Sequence, residues 1–280
     1  ILNAILDPIF IYTFGLGAAG AAIATVLSSL ISAIVILYWL LVKKDTYVDI
    51  NLRKFKFNSK ISKNILKVGI PASLDMFIMS IAVALYLIFI TIISGDYGVA
   101  AYTSGQRIYL FAIMPLTAIG TAVVAVCGSA FGAENRDYLS RAHKYGAKFG
   151  ILFGLAVTII VVIFATPIAS IFAYTPETTH LVSGISLFLQ FAFLSIPFTG
   201  AGMASSFLYQ GIGRGVTSLF FTIFREVICT VILTYLFGIV FGWGLIGIWI
   251  GLAVGRSIAS IVNYIYGRHT IKQIRTKLGT

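Results

Sequence analysis

Asp7 is the side chain in this sequence that is best placed to do chemistry. It lies in the apolar stretch ILNAILDPIFIYTF, and a charged carboxylate at the centre of a membrane helix costs about 2.5–3.5 kcal/mol. Asn3 lies one helical turn earlier on the same face, and Pro8 removes a backbone hydrogen-bond donor beside the acid. Because such a carboxylate can exchange a proton for another cation, the pattern indicates a cation or proton site. A carboxylate that only braces a kink is the alternative.

Further polar side chains interrupt the apolar runs of the rest of the chain. Asp75 follows Pro71 by four residues, which predicts a position in the first turns of a helix, where the macrodipole favours a carboxylate. A structural or gating role is therefore favoured over direct binding. Arg225 and Glu226 are adjacent, and adjacent residues on a helix do not face each other, so no private ion pair is predicted. The other candidates for substrate contact or for hydrogen bonding within the bundle are Gln106, Arg107, Gln190, Arg256 and Asn263.

Two glycine-rich segments, GLGAAG at residues 15–20 and GWGLIG at residues 242–247, have the G-x-G-x-x-G spacing of a dinucleotide-binding turn. Such a site needs a preceding strand and an acid about 20 residues further on for the ribose. The apolar run after Gly20 contains no acid before Asp45, which disfavours dinucleotide binding. Glycine is expected instead at tight turns between membrane helices, where it permits positive φ and close helix approach.

The composition is that of a membrane protein. Of the 280 residues 59% are hydrophobic and 10% are charged, whereas soluble domains carry roughly 25% charged residues. Several apolar runs exceed the roughly 20 residues that cross a bilayer as a helix, and the alternating strands of a transmembrane barrel are absent from the sequence. The sequence therefore predicts an all-α polytopic membrane protein with eight transmembrane helices, near residues 1–13, 20–42, 65–93, 99–131, 143–173, 180–211, 215–240 and 245–267.

Lysine and arginine occupy every second connection between these helices. The connections TFGLG, SGDYG, YTPETTH and GIVFGWG contain neither residue. The positive-inside rule then predicts that the basic side and the carboxyl terminus are cytoplasmic, as in a multi-pass protein of the cell inner (plasma) membrane. Topology accounts for the net charge of +11, so nucleic-acid binding is not predicted.

Cysteine and histidine form no ligand-spaced set in this sequence. Cys127 and Cys229 lie far apart in apolar runs, which predicts packed side chains and neither a disulfide nor a metal site. The three histidines, His143, His180 and His269, are predicted at loops or helix ends.

The two glycine segments belong to a longer internal repeat. An offset of 227 residues aligns GLGAAGAAIATVLSSLISAIVILYW with GWGLIGIWIGLAVGRSIASIVNYIY, with all three glycines in register. The matched helices are the second and the eighth, and their even separation predicts parallel repeats about an axis normal to the membrane. The first copy would then be represented by its last two helices, and four spans are expected before Ile1.

The series of segments resembles the multidrug and toxic compound extrusion (MATE) family over essentially the whole chain. KVGIPASLDMFIMS is similar to the start of that family's second lobe, and NAILDPIFIYTFGLGAAGAAIATV is similar to its fifth and sixth helices. The resemblance implies the V-shaped MATE fold, with helices 5–12 of twelve present. The implied domains are the last two helices of the amino-terminal lobe (1–42), a basic cytoplasmic inter-lobe linker (43–64), a six-helix carboxyl-terminal lobe (65–267) and a basic cytoplasmic tail (268–280).

The resemblance implies a secondary antiporter that exports organic cations or amphipathic drugs in exchange for sodium ions or protons by alternating access. It implies no cofactor beyond the coupling ion, the lipid bilayer as surroundings, and a monomer when complete. The sequence contains no nucleotide-binding P-loop and no H-E-x-x-H, G-x-S-x-G or paired-His motif, so an enzyme is not predicted. A related lipid-linked saccharide flippase and an inactive truncated remnant are the alternatives.

In the DinF-like branch of the family, which this chain resembles, Asn3, Asp7 and Thr25 match members of a first-lobe cation or proton site. The site's fourth member, an Asp of the first helix, would precede this chain. In the sodium-coupled NorM branch the second lobe carries acids at positions that read Met79 and Thr199 here, and neither is ionisable. The resemblance therefore favours coupling in the first lobe, with no metal site beyond possible sodium at Asp7.

Overall fold

The computed structural model describes residues 2–43, 57–175 and 177–277, which form two compact units, Ile1–Ser59 and Lys60–Thr280. Helices are the only regular secondary structure in these ranges. The predicted all-α membrane fold is confirmed. Residues 44–56, which make up most of the predicted linker 43–64, and the last three residues of the predicted tail lie outside the described residues.

The first unit contains two helices joined by a tight turn. Helix α1 (Leu2–Pro8) continues into a π-helical turn, Ile9–Thr13, and helix α2 (Gly17–Tyr38) continues into Trp39–Lys43. Gly20 of α2 lies directly against the backbone of Phe10, so that a Cβ atom there would lie 2.7 Å from the Phe10 carbonyl carbon. The absence of a side chain at Gly20 is therefore what lets the two helices approach.

The second unit begins with the longest helix. Helix α3 spans Ser59–Gly132, and its 74 residues would extend about 110 Å if straight, far more than the roughly 30 Å of a bilayer core. Gly95 interrupts it with φ 55° and ψ −144°, a non-helical conformation. Glycine adopts this left-handed φ without the steric penalty of a side chain. The interruption divides α3 into the two crossings that the sequence predicts at 65–93 and 99–131.

The remaining helices of the second unit follow in chain order. The segment from α8 to Val240 is continuous, with π-helical turns at Phe224–Val231 and Leu236–Val240. The helices are α4 (Arg136–Ile163), α5 (Ala165–Phe172), α6 (Val182–Phe193), α7 (Ile196–Gly211), α8 (Gly215–Ile223), α9 (Ile232–Tyr235) and α10 (Gly244–Lys277).

By length and composition, five helices of the described ranges could cross a membrane, and a bent pair would make a sixth. The pair joins Thr179–Phe193 to Ile196–Gly211 at 51°. In this number α3 is one helix. Leu2–Thr13 is apolar but shorter, and it is not among the five. With α3 divided at Gly95, these segments correspond one to one with the eight predicted helices.

Several predicted helix boundaries are wrong. The helix predicted at 143–173 begins at Arg136, because the Asn135 side chain accepts a hydrogen bond from the Tyr138 N–H at 3.0 Å and caps the helix; it breaks at Phe164. The helix predicted at 180–211 is the bent pair of α6 and α7. Pro197 lies in the first turn of α7, where its missing N–H interrupts no helical hydrogen bond.

Two further helices are longer than predicted. The helix predicted to begin at residue 65 begins at Ser59, so that Pro71 lies inside it and not in its first turn. The helix predicted to end at 267 continues to Lys277, because the basic residues after Gly267 are good helix formers. The described part of the predicted tail is therefore helical.

The two glycine segments form the same turn. Gly15 and Gly242 have φ 67° and 69°, and Gly17 and Gly244 have φ 53° and 64°. In the first copy Leu16 N donates to Phe10 O at 3.2 Å, and in the second copy Trp243 N donates to Phe237 O at 3.2 Å. Each turn follows a π-helical segment and not a strand, so the glycines serve the helix connection, as predicted, and lack the strand of a dinucleotide site.

Small residues hold the second unit together. A Cβ at Gly150 of α4 would lie 2.9 Å from the backbone of Gly200 in α7, and Gly251 and Gly255 of α10 approach the backbone of the segment that contains Thr230 and Thr234 just as closely. Such backbone contact is typical of membrane helix packing. It fixes α10 against Phe224–Val231, where the polar side chains of this unit converge.

Candidate functional site

The structure brings together the three residues that the sequence predicts as a cation or proton site. Within the first unit, Asn3 Nδ2 donates to Asp7 Oδ1 at 3.2 Å and lies 3.3 Å from Thr25 Oγ1. Asn3 and Asp7 are on one face of α1, and Thr25 reaches them from the third turn of α2. The tight glycine turn between the helices sets this register.

The hydrogen-bond directions in this trio follow from its chemistry. The Thr25 hydroxyl donates to the Ala21 carbonyl at 2.9 Å, so its oxygen is left to accept from the Asn3 amide. Asn3 thus uses its amide nitrogen to join the Asp7 carboxylate to the Thr25 hydroxyl. Carboxylate, amide carbonyl and hydroxyl oxygens are the groups that hold a hard cation, and the carboxylate can take a proton instead.

A second polar cluster lies within the Lys60–Thr280 unit, around Glu226. Glu226 is 4% exposed. Its Oε1 lies 2.9 Å from Arg225 Nε, and its Oε2 accepts a hydrogen bond from the Tyr86 hydroxyl at 3.1 Å. The Tyr86 hydroxyl is also 3.2 Å from the Glu226 carbonyl oxygen. Both carboxylate oxygens therefore have partners, as a buried charge requires.

The contact between Arg225 and Glu226 corrects the prediction that these adjacent residues do not pair. That prediction assumed regular α-helical spacing. The two residues lie instead in the π-helical segment Phe224–Val231, in which side chains are redistributed around the axis, and such segments are frequent at functional sites. The Thr230 hydroxyl donates to the Arg225 carbonyl at 2.6 Å, which supplies a partner for backbone that the wider turn releases.

Arg256 of α10 extends this cluster. It is 7% exposed, interacts electrostatically with Glu226, and its guanidinium lies 5.0 Å from the Tyr109 ring centroid. The ring face stabilises the cation. Within the described residues, Arg256 Nη1 and the Tyr102 hydroxyl are buried polar atoms without a hydrogen-bond partner. The structure thus places Arg256 in the cluster, whereas Arg107 lies exposed outside it.

Asp75 lies at the edge of the same cluster. It interacts with the Thr222 hydroxyl and electrostatically with Arg225. Because α3 begins at Ser59, Asp75 lies well inside the helix, and the predicted position in the first turns is wrong. Stabilisation by the helix dipole fades beyond the first turn, so the nearby cation and hydroxyl take over that role.

The remaining predicted polar residues do not converge on one point. Asn263 donates to the Gly202 carbonyl at 3.0 Å and to Ser206 Oγ at 2.9 Å, which is hydrogen bonding within the bundle. Gln106 and Gln190 are half-buried. Thr199 is buried and its hydroxyl bonds to the Ser195 carbonyl at 2.9 Å, as expected of a structural residue.

The sequence does not predict two buried polar contacts, one made by Tyr86 in the Glu226 cluster and one made by His143 between α4 and α7. Tyr86 is one of 14 tyrosines, and nothing in the local sequence distinguishes it. His143, predicted at a loop or helix end, is fully buried in α4, with its Nε2 2.9 Å from Ser205 Oγ and its ring stacked on Tyr264. The signal that could have located it is the Asn135 cap, which places the start of α4 two turns earlier.

Comparison with known proteins agrees with this architecture. The MatE family model matches residues 71–236. The probable multidrug resistance protein NorM of Thermotoga maritima is 25% identical over 287 residues, covering 99% of this chain and 60% of that protein. The multidrug export protein MepA of Staphylococcus haemolyticus is 23% identical over 261 residues, covering 93% of this chain and 56% of that protein.

Solved structures are closer in sequence. A transporter of the MOP superfamily from Pyrococcus furiosus, described as having a binding pocket of reversed polarity that suggests a different function, is 39% identical with a TM-score of 0.95. An outward-facing multidrug resistance MATE transporter has the same identity and TM-score. Each match covers 98% of this chain and 61% of the solved chain.

The chain thus spans about 60% of the length of the relatives it matches. On the family-model match and these relatives, the chain belongs to the MatE family, whose members are membrane transporters and not enzymes.

Proposed function

We propose that this chain is part of a secondary antiporter that exports organic cations or amphipathic drugs in exchange for sodium ions or protons. The observation that carries the proposal is the convergence of Asn3, Asp7 and Thr25 on one point in the first unit. A carboxylate in an apolar helix is costly. A bound cation or proton removes that cost, which gives the ion a reason to bind.

Coupling follows from competition at the Asp7 carboxylate. A proton or a sodium ion neutralises the carboxylate, and release of the ion restores its charge. If the two lobes alternate their access to the two membrane faces, this change of charge makes one conformation more favourable than the other. The proposed mechanism needs no cofactor besides the coupling ion. The resemblance of Asn3, Asp7 and Thr25 to the DinF-like pattern supports coupling in the first lobe.

The second-unit cluster supports a gating or positioning role and not a lipid-linked saccharide flippase. A flippase cavity would present free cationic groups to phosphates, whereas Arg225 and Arg256 both interact with Glu226. Their charges are offset in part by that carboxylate and by Asp75, which interacts with Arg225. The Pyrococcus furiosus relative is described as having a binding pocket of reversed polarity. The charge of the substrate therefore needs a test, and anionic and cationic dyes are compared in the same assay.

The membrane setting supports the same proposal. Several helices of the described ranges are long and apolar enough to cross a bilayer, so the chain is a membrane protein. We place it in the cell inner membrane as a monomer with its basic side and carboxyl terminus in the cytoplasm. The support is the alternation of basic and uncharged connections along the sequence.

The test is dye export by the complete protein in proteoliposomes with an imposed sodium or proton gradient. Asp7→Asn keeps the side-chain shape and removes the ionisable group, and Asp96→Asn makes the same change at an exposed acid outside both clusters. Asp7→Asn is expected to abolish gradient-driven export while dye binding persists. Asp96→Asn is expected to leave export unchanged.

The two gradients distinguish the coupling ion. Export driven by only one gradient identifies that ion, and loss of the response in Asp7→Asn assigns it to this site. Normal gradient-driven export by Asp7→Asn, at equal amounts of protein in the membrane, would overturn the coupling assignment. Export of anionic but not cationic dyes would overturn the proposed substrate class.

A further inference from the structure

A groove on the surface of the second unit, between α4 and α10, plays no part in the proposed transport chemistry. We call it the α4 groove. Its volume is about 250 Å³. Lys144 and Lys148 lie at one end, one helical turn apart and exposed. The floor is aliphatic, and Tyr264 of α10 forms the opposite wall; the floor residues are Ile151, Leu152 and Leu155.

The α4 groove crosses the boundary between the polar and the apolar part of α4. Residues 136–148 contain four basic residues and one acid, whereas residues 149–163 contain no charged residue. Since an apolar stretch of helix occupies the hydrocarbon core, Lys148 marks the level of the lipid headgroups. Arg268 of α10 lies about two helical turns further toward the polar end of α4, because its Nη1 donates to Ser140 Oγ at 3.3 Å.

The walls of the groove are preformed. The Tyr264 ring stacks on His143, with ring centroids 5.4 Å apart and an angle of 18° between planes. His143 is fully buried and held by Ser205. Tyr264 is therefore positioned by the core of the unit, and a ligand does not have to order it. Preformed walls reduce the entropy lost on binding.

We propose that the α4 groove binds an anionic phospholipid. The phosphate lies against the ammonium groups of Lys144 and Lys148, and one acyl chain lies along Ile151, Leu152 and Leu155. Basic sites between membrane helices at the headgroup level are suited to anionic headgroups. A zwitterionic lipid matches the aliphatic floor but not the charge, and a soluble phosphate matches only the lysines.

The test measures lipid retention by the complete protein with native mass spectrometry. The protein is purified from vesicles of equal parts phosphatidylglycerol and phosphatidylcholine. The test variant is Lys144→Gln/Lys148→Gln, which removes both charges and keeps polar side chains only one atom shorter. The matched control is Lys63→Gln/Lys67→Gln, because these lysines are also exposed on a helix, at the same spacing, elsewhere in the unit.

The unmodified protein is expected to retain phosphatidylglycerol over phosphatidylcholine, and the test variant to bind phosphatidylglycerol roughly ten-fold more weakly. The control variant is expected to retain it unchanged. Inorganic phosphate at millimolar concentration is expected not to displace the lipid. Equal retention by the test variant, an equal loss in the control, no preference for phosphatidylglycerol, or displacement by free phosphate would each overturn the proposal. None of these outcomes depends on export, so the proposed function is tested separately.

Discussion

Asp7 and Thr234 occupy the same position in the two copies of the internal repeat, 227 residues apart. The correspondence is structural as well as sequential, because π-helical turns follow at Ile9–Thr13 and at Leu236–Val240 with the same offset. Thr230 stands at the position of Asn3, and Leu252 at that of Thr25. The polar trio of the first unit is therefore not repeated in the second, whose carboxylate lies two turns earlier at Glu226.

Comparison of the two π-helical turns shows that Pro8 is not the cause of the first one. Pro8 immediately precedes the first π-helical turn, which invites the interpretation that proline causes it. Tyr235 stands at the equivalent position before the second turn, and that turn forms all the same. The shared features are the glycine connection and the hydrogen bonds that close it. Pro8 is thus compatible with the π-helical turn but is not needed for it.

Glu226→Gln tests whether the second-unit cluster depends on its carboxylate. The change leaves buried Arg256 without its carboxylate partner and leaves Arg225 with Asp75 alone, so we expect a loss of about 3–5 kcal/mol in stability. The midpoint of thermal unfolding in lipid nanodiscs measures this loss of stability. Glu177→Gln, at an exposed position, is the control and is expected to have no effect. An unchanged midpoint for Glu226→Gln would mean that other groups neutralise the two guanidinium groups.

The sequence predicts the fold well because the bilayer makes strong demands on composition. Apolar runs of sufficient length, alternating basic connections and the repeated glycines together predict the helices. The spacing of Asn3 and Asp7 on one helix predicts that they lie together, and the family resemblance adds Thr25. The helix ends were less predictable. Pro71 is compatible with the first turn of a helix, and only the structure shows that the helix begins at Ser59.

The second cluster could not be predicted in the same way. The contact between Arg225 and Glu226 depends on a π-helical segment, which has no local sequence signal. The hydrogen bond from Tyr86 joins residues 140 positions apart. No periodicity in a single sequence reports such a contact, because it depends on how α3 packs against a distant helix.

Gly20→Ala and Gly247→Ala test the repeat turns. In either case the new Cβ would lie 2.7 Å from a carbonyl carbon, that of Phe10 or of Phe237. Backbone cannot move aside as a side chain can, so each change is expected to destabilise its helix pair by about 1–3 kcal/mol. Gly69→Ala is the control, because nothing lies within 4 Å of its Cβ position. In thermal unfolding of the three variants, Gly69→Ala should have a higher midpoint than either of the other two.

His143→Phe tests the buried contact between α4 and α7. Phenylalanine keeps the stacking on Tyr264 but leaves the buried Ser205 hydroxyl without its partner, with an expected loss of about 1–3 kcal/mol. Removing both polar groups in His143→Phe/Ser205→Ala is expected to recover part of that loss in a thermal unfolding series. A double variant no more stable than the single one would show that the imidazole contributes by its shape and not by the hydrogen bond.

The link between Asn3 and Asp7 can be measured as a coupling energy. Asn3→Leu removes the amide that joins the carboxylate to Thr25, and hydrogen bonds to charged groups are worth about 1.5–3 kcal/mol. Because this hydrogen bond stabilises the carboxylate in its charged, ion-free form, we expect the affinity for the coupling ion, measured from the ion dependence of dye export, to rise roughly ten- to a hundred-fold. Asp7→Asn is expected to abolish that ion dependence, so the variants that contain it are compared by equilibrium binding of the ion. In this double-mutant cycle Asn3→Leu should add little once residue 7 is neutral. Thr25→Ser keeps the accepting oxygen and should preserve the affinity. Additive effects of the two substitutions would show that Asn3 and Asp7 act at separate sites despite their contact.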